Sequence, residues 1–322
     1  MGLKVPIAAA IGFALGVFVS AWSIDTNPTN AVYRMPGELT RPLLGFDSNS
    51  LGEFDELRPI ENAIRGFISK QHRESPNETV SVYFRLLNSG RWFAINADER
   101  YSPASLLKIP IMMVYYRQAE EAPGILQKRL YDDGSFGGDE QETIPSDRRL
   151  QEGVSYTIED LIERMILDSN NEAKDMLEVN LPRDFFTTIY EQMGVEDPYT
   201  HGDDYMRVTD YAFFFRVLYN STYLTQKYSE KALVLLTRSR FTEGLPAKLP
   251  PEIRVAHKYG FRAGSVDSPR EELHDCGIVY YPAHPYVICI MTKGRGYEPL
   301  VSVLQELSLV TYRAVEDFFA PK

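Results

Sequence analysis

The most informative stretch of this chain is residues 156–173, which read YTIEDLIERMILDSNNEA. Apolar residues recur at helical spacing in its first half, and this pattern predicts a helix over residues 157–165. The polar turn Ser169-Asn170-Asn171 follows. Taken singly, Ser169 and Asn171 are either caps of the next helix or members of a chemical site. The stretch therefore predicts a helix that leads into a turn of three short polar residues.

A second segment pairs a serine with a lysine in Ser105-Leu106-Leu107-Lys108. Residues three apart on a helix share a face, so the Lys108 amine can reach the Ser105 hydroxyl. We expect the apolar neighbours to desolvate that amine and so to lower its pKa, and a lysine with a lowered pKa can serve as a base for serine. A Ser-x-x-Lys alone has little value, because it arises by chance about once in a chain of this length.

A third segment, Lys258-Tyr259-Gly260, follows the β-rich run from Val255. In this order the three segments resemble the S-x-x-K, S-D-N and K-T-G motifs of class A β-lactamases and penicillin-binding proteins. The stretch before Ser169 and the strand before Lys258 also resemble that family, and the resemblance covers residues 57–322. It implies an α+β fold, with an antiparallel sheet flanked by helices and an all-helical subdomain over about residues 105–245.

The resemblance also implies roles for the residues of these motifs. Ser105 would be the acylated nucleophile, Lys108 its base, and Ser169 the donor of a proton to the leaving nitrogen. The substrate-binding residues would be Asn171, Lys258, Tyr259, Gly260 and Phe261. Among these, Asn171 would bond the substrate amide, Lys258 would supply positive potential, and the Phe261 N–H would complete an oxyanion hole with that of Ser105.

Two residues depart from the family pattern. Asn170 stands where the family has aspartate, at a position that reads as structural. Tyr259 replaces a threonine or serine that binds the substrate carboxylate, and its hydroxyl lies roughly 4–5 Å further from the backbone. Arg262 and Arg254 are alternative cations for that carboxylate, or simply surface arginines.

Class A β-lactamases also resemble one another in a Glu-x-x-Leu-Asn loop whose glutamate activates the deacylating water, and no such segment occurs between Asn171 and Lys258. The loop of residues 194–205 is short and acidic there. Glu196, Asp203 and Asp204 are candidate replacements, although such a loop is more often a solvated turn. We therefore expect deacylation to limit turnover.

The N-terminal residues have a different character. Residues 5–22 form an apolar run without charge, so residues 1–23 are predicted to be a signal-anchor or a cleaved signal peptide, with a retained anchor favoured. Residues 24–56 are rich in Asn, Pro, Gly and Asp and are predicted to be a linker. The domain would then be exported and held at the membrane, facing the periplasm or cell exterior, or secreted if the signal is cleaved.

The two cysteines, Cys276 and Cys289, flank a turn between β-rich runs. An exported compartment permits a disulfide, but only the strand register decides whether the two sulfurs meet. We expect two buried thiols, with a disulfide as the alternative.

Composition excludes several functions. The net charge of -11 argues against a nucleic-acid partner. The five histidines have no metal-ligand spacing, so we expect neither metal nor cofactor.

Three functions stay open: a membrane-anchored β-lactamase-type hydrolase, which is favoured, a D,D-peptidase acting on cell-wall stem peptides, and a β-lactam sensor without turnover.

Periodicity also predicts the remaining elements. A helix is predicted over residues 57–71, a hairpin over residues 80–95, and a closing helix over residues 301–319. The other predicted helices are residues 109–121, 173–179, 183–193, 208–219 and 230–237, and the other predicted strands are residues 255–260, 276–281 and 286–291.

Overall fold

The structure is a computed structural model that describes residues 37, 39–40, 54–136, 148–198, 206–266 and 269–321. Its helices are α1 (Arg58–Glu74), α2 (Lys108–Glu121), α3 (Ile158–Leu167), α4 (Asn171–Val179), α5 (Arg183–Met193), α6 (Val208–Asn220), α7 (Gln226–Leu236) and α8 (Tyr297–Phe319). Its strands are β1 (Thr79–Leu86), β2 (Trp92–Ile95), β3 (Arg129–Tyr131), β4 (Ser155–Thr157), β5 (Val255–Arg262), β6 (Glu271–Val279) and β7 (Tyr286–Gly294).

Five of the strands form one sheet in the order β2-β1-β7-β6-β5, and every neighbouring pair is antiparallel. Strand β5, which carries Lys258, lies at one edge of this sheet. Strands β3 and β4 pair separately. Helices α2 to α7 lie between β2 and β5 in the chain and form the helical subdomain, so the predicted α+β class is confirmed.

Both faces of the sheet are covered. On one face, α1 and α8 pack a core that includes Ile60, Ile64 and Leu304. On the other, the helical subdomain packs a larger core that includes Tyr115 and Phe214. All nine residues of β7 are buried, because a strand between two covered faces has no solvent side.

Most predicted elements are confirmed to within a few residues, but β6 begins at Glu271, five residues before the predicted start at Cys276. The extra residues are mainly charged, and charged residues are uncommon in buried strands. Here Glu272, His274 and Asp275 are buried, and each has a polar partner. The short pair β3 and β4 was not predicted, since three-residue strands carry almost no periodicity.

The expectation of two free thiols is wrong: Cys276 and Cys289 form a disulfide. The register of β6 and β7 places the two residues directly opposite each other. Residues opposite each other in an antiparallel pair project from the same face, so the sulfurs meet. Both cysteines are fully buried.

The predicted signal-anchor, residues 1–23, lies outside the described residues, as does most of the predicted linker. Within the described ranges, no helix combines the length and apolar character that a membrane crossing needs. Two described linker residues contact the domain. The Glu230 carboxylate on α7 accepts hydrogen bonds from the N–H groups of Leu39 and Thr40 and from the Thr40 hydroxyl, and Leu39 is buried.

Candidate active site

The predicted nucleophile lies on a tight turn at the start of α2. Residues Ala104–Leu107 form a short 3₁₀ helix that continues into α2 at Lys108. Ala104 adopts φ 47°, a left-handed conformation that is unfavourable for a residue with a Cβ. The Tyr211 hydroxyl donates to the Leu106 carbonyl at 3.0 Å and holds the turn from α6. Ser105 is half-buried on this turn.

The three side chains of the polar turn between α3 and α4 have two roles, since one caps a helix and the other two contact Lys108. Asn170 is the N-cap of α4, and its side chain accepts the Ala173 N–H at 2.7 Å. Ser169, before it, has φ 57°. Asn170 caps the helix, and the residues on either side of it, Ser169 and Asn171, both contact Lys108 through their side chains.

Lys108 is 1% exposed and points from the first turn of α2 toward this polar turn. Its Nζ donates to the Ser169 carbonyl oxygen at 2.5 Å, to Ser169 Oγ at 3.1 Å and to Asn171 Oδ1 at 2.6 Å. The structure therefore joins the first and second motifs through the lysine amine.

Lys258 reaches the same serine from the edge strand β5. Its Nζ donates to Ser169 Oγ at 2.9 Å and to the Tyr259 carbonyl at 3.0 Å. The side chain is fully buried, and this burial lowers the pKa of Lys258 to about 7, although the nearby Asp275 carboxylate acts in the opposite direction. The Ser169 hydroxyl thus accepts hydrogen bonds from two buried lysines.

Gly260 allows β5 to lie against the nucleophile turn. A Cβ at this position would lie 2.7 Å from the Pro103 carbonyl oxygen and 3.0 Å from Leu106 Cγ. Phe261, the next residue on the strand, is half-buried. Close approach of β5 to the turn brings the third motif to the first.

Tyr259 is 2% exposed, and its ring stacks on Phe241 with centroids 4.0 Å apart. The two arginines considered for the substrate carboxylate also have partners. Arg262 forms an ion pair with Glu272 at 3.4 Å, and the Arg254 guanidinium lies over the Tyr280 ring near the start of β5.

In the acidic loop, Glu196 forms an ion pair with Arg100 at 3.0 Å, whereas Asp203 and Asp204 lie outside the described residues. In the part of the chain that the structure describes, no three His, Cys, Asp or Glu side chains come together as a metal site.

Sequence reasoning missed three buried polar residues of β6 beside the site: Glu272, His274 and Asp275. Glu272 and His274 hold Ser102, just before the nucleophile turn. Asp275 Oδ1 lies 2.9 Å from His257 Nδ1, and the charge of Asp275 acts to raise the pKa of Lys258. The signal was present in the sequence, as charged residues at the head of an otherwise apolar run.

Comparison with known proteins is consistent with this geometry. A family model described as the β-lactamase enzyme family matches residues 59–315. The fold is similar to that of PBP-A, with a TM-score of 0.67 and 21% identity over 88% of this chain and 99% of that one. It is also similar to a class A β-lactamase from Bacteroides cellulosilyticus DSM 14838, with a TM-score of 0.68 and 14% identity over 80% of this chain and 99% of that one.

A mutant of PBP-A, solved as an acyl-enzyme complex with penicillin G, gives a TM-score of 0.67 and 22% identity over 81% of this chain and 97% of that one. A search of curated protein sequences gave no match. The family model spans the sheet, the helical subdomain and all three motifs. With two lysines meeting at one serine inside that span, this chain belongs to the β-lactamase enzyme family and is a serine hydrolase of the β-lactamase type.

Proposed function

We propose that this protein opens β-lactams or related amides through an acyl-enzyme on Ser105. The observation that carries the proposal is the convergence of Lys108 and Lys258 on the Ser169 hydroxyl, at 3.1 and 2.9 Å. The similarity to PBP-A, whose mutant forms an acyl-enzyme with penicillin G, supports the choice of substrate.

Acylation requires Lys108 in its neutral form, in which Nζ donates only two of the three hydrogen bonds described above and keeps a lone pair. Ser105 Oγ attacks the substrate carbonyl carbon while this amine takes the hydroxyl proton. The N–H groups of Ser105 and Phe261 stabilise the oxyanion. As the C–N bond breaks, the Ser169 hydroxyl gives its proton to the leaving nitrogen. Ser169 then regains a proton from the Lys108 ammonium across 3.1 Å. Over the whole step, the Ser105 hydroxyl loses one proton, the leaving nitrogen gains one, and Lys108 returns to its neutral form.

The remaining residues of the motifs bind the substrate. Asn171 Oδ1 accepts a hydrogen bond from Lys108 at 2.6 Å, which places this side chain beside the other motif residues, and it would bond the substrate amide. Lys258, with a pKa of about 7, supplies positive potential when it is protonated. Tyr259 is buried, so its contribution to carboxylate recognition would come through the position of β5 rather than through surface contact.

A D,D-peptidase that acts on cell-wall stem peptides is the second candidate function. One observation favours it: the chain lacks a Glu-x-x-Leu-Asn segment between Asn171 and Lys258. Without that glutamate the acyl-ester lacks its usual water-activating base, and the adduct would be long-lived. A sensor that is acylated without turnover would share this property.

We also propose that residues 1–23 export the domain and anchor it to a membrane. The uncharged apolar run of residues 5–22 supports this proposal. The Cys276–Cys289 disulfide supports it independently, because disulfides persist mainly in oxidising compartments. Fractionation of cells that express the full chain tests it, since the protein should sediment with membranes and be released by detergent but not by salt.

The catalytic proposal is tested by incubating the protein with a fluorescent penicillin and a chromogenic cephalosporin, followed by intact-mass measurement. Rapid turnover supports a β-lactamase, and a long-lived adduct supports the peptidase or the sensor. Ser105→Ala should abolish labelling while changing stability by less than about 1 kcal/mol. Ser89→Ala, in the exposed β1–β2 hairpin, is the matched control and should label normally. An adduct on another residue would contradict the proposal.

A further inference from the structure

Two buried side chains of β6 hold the residue that lies three positions before Ser105. The Ser102 N–H donates to Glu272 Oε2 at 2.9 Å. The Ser102 carbonyl oxygen lies 2.9 Å from His274 Nε2. Glu272 is 2% exposed and His274 is fully buried. Both backbone polar groups of one residue are therefore bound by side chains from one strand, about 170 positions further along the chain.

The tautomer of His274 follows from its second contact. The backbone N–H of Thr292 on β7 donates to His274 Nδ1 at 3.2 Å. A backbone N–H can only donate, so Nδ1 must be the unprotonated nitrogen and Nε2 carries the proton. His274 Nε2 is consequently the donor to the Ser102 carbonyl. The neutral imidazole satisfies both contacts at once.

Glu272 is held in its charged form by its surroundings. Burial alone would raise the pKa of Glu272, but the hydrogen bond from His274, the Lys293 ammonium and the Ser102 N–H together lower it. Lys293 lies 3.6 Å from Glu272 and also donates to the Arg100 carbonyl at 3.2 Å. An ionised carboxylate accepts a backbone N–H more strongly than a neutral group does.

Two consecutive residues before the nucleophile turn, Tyr101 and Ser102, are held by hydrogen bonds. Tyr101 pairs with Met206 through two backbone hydrogen bonds, and its hydroxyl lies 2.8 Å from Ser81 Oγ. Ser102 is bound by Glu272 and His274. Ala104, two residues on, has the unfavourable φ of 47°. A residue in such a conformation keeps it only where its surroundings hold it.

We propose that Glu272 and His274 are positioning residues for acylation, which hold Ser102 so that the Ala104 turn presents the Ser105 hydroxyl in its reactive orientation. The inference rests on the proposed function only in naming acylation as the step affected. Neither side chain contacts the reacting atoms. Their effect is carried by the backbone of residues 102–105, and small displacements of a nucleophile slow its reaction steeply.

The test is the acylation of Glu272→Ala, His274→Ala and the double variant by a chromogenic cephalosporin, followed by stopped flow per titrated active site. Each single variant should lower the acylation rate constant by about tenfold or more, with the dissociation constant of the initial complex changed less than about threefold. Because both residues hold Ser102, the double variant should be no more than about threefold slower than the slower single variant.

Conservative variants separate positioning from general stability. Glu272→Gln keeps an oxygen that can accept the Ser102 N–H, and its acylation rate should recover to within about threefold of wild type. Ser308→Ala removes a buried hydrogen bond to the Leu245 carbonyl on the opposite face of the sheet, and it should acylate like wild type even if it melts earlier. If the alanine variants fail to fold, Glu272→Gln and His274→Gln replace them. The His274→Gln rate should then fall at least about threefold, and an unchanged rate overturns the proposal.

Hydrogen exchange of the unacylated protein tests the same contact without any substrate. The amides of Ser102 and of residues 104–106 should exchange at least about tenfold faster in both alanine variants, while those of β1 exchange as in wild type. If wild type forms no adduct, the proposed function fails, and the exchange result still decides the role of Glu272 and His274. Wild-type exchange together with wild-type acylation in both variants would overturn the inference.

Discussion

Replacing Lys258 with methionine should stabilise the protein at neutral pH and destabilise it at high pH. Lys258 is fully buried, and burial lowers its pKa from 10.5 to about 7, despite the opposing charge of Asp275. Between these two values the unfolded chain binds a proton that the folded protein does not. Stability of the wild type should therefore rise with pH across this window.

The magnitude follows from the pKa difference. At about 1.4 kcal/mol per pH unit, a fall from 10.5 to about 7 costs the folded state about 5 kcal/mol at pH values below 7. Methionine removes this cost because it has similar length and no charge. It also loses the hydrogen bonds to Ser169 Oγ and the Tyr259 carbonyl, which together contribute about 1–3 kcal/mol. The variant should therefore gain at least about 2 kcal/mol at pH 6.5.

The sign of the difference should reverse as the pH rises. At pH 9 the cost of the buried lysine has fallen to about 2 kcal/mol, which is similar to the value of the lost hydrogen bonds. Above pH 10 the variant should be the less stable protein. Urea unfolding of both proteins from pH 6 to 10 measures this, with Lys70→Met on the exposed face of α1 as the control. A stability difference between wild type and Lys258→Met that stays constant with pH, or that grows in favour of the variant as pH rises, would refute the reasoning.

Three further changes test other parts of the structure. In Gly260→Ala, the new Cβ would lie 2.7 Å from the Pro103 carbonyl oxygen, where carbon and oxygen ordinarily stay about 3.3–3.6 Å apart. The nucleophile turn must shift, and stopped-flow acylation should slow about tenfold; a wild-type rate would contradict the close approach. Lys108→Arg should slow acylation at least about a hundredfold, because a guanidinium cannot accept a proton; a rate equal to wild type from pH 6 to 9 would exclude Lys108 as the base. Glu230→Ala removes the acceptor of the Leu39 and Thr40 N–H groups and should lower the unfolding free energy in urea by about 1–2 kcal/mol; no change would show that this contact contributes nothing to stability.

Local order along the chain was predictable from sequence. Helices α2 to α6 and the β1–β2 hairpin follow from apolar spacing and turn residues, and these signals act over a few residues. The spacing of Ser105 and Lys108 belongs to the same class, because three residues along a helix always return to one face. The order of the three motifs was enough to predict the fold class and the family.

Register and long-range contacts were decided only by the tertiary structure. The Cys276–Cys289 disulfide depends on which residues of β6 and β7 lie opposite, and a slip of one residue would turn the two side chains to opposite faces. The hydrogen bonds of Glu272 and His274 to the Ser102 backbone join residues about 170 positions apart. Periodicity carries no information at that distance.

The sequence by itself determined the fold class, the family and the candidate residues for the chemistry, since helix spacing and motif order are local properties that need no knowledge of packing. Only the tertiary structure decided that Lys108 and Lys258 meet at one hydroxyl and that Tyr259 is buried against Phe241. The physical reason is burial. The pKa of Lys258 is lowered by its surroundings and not by its sequence neighbours, and those surroundings exist only when the sheet and the helical subdomain have closed around it.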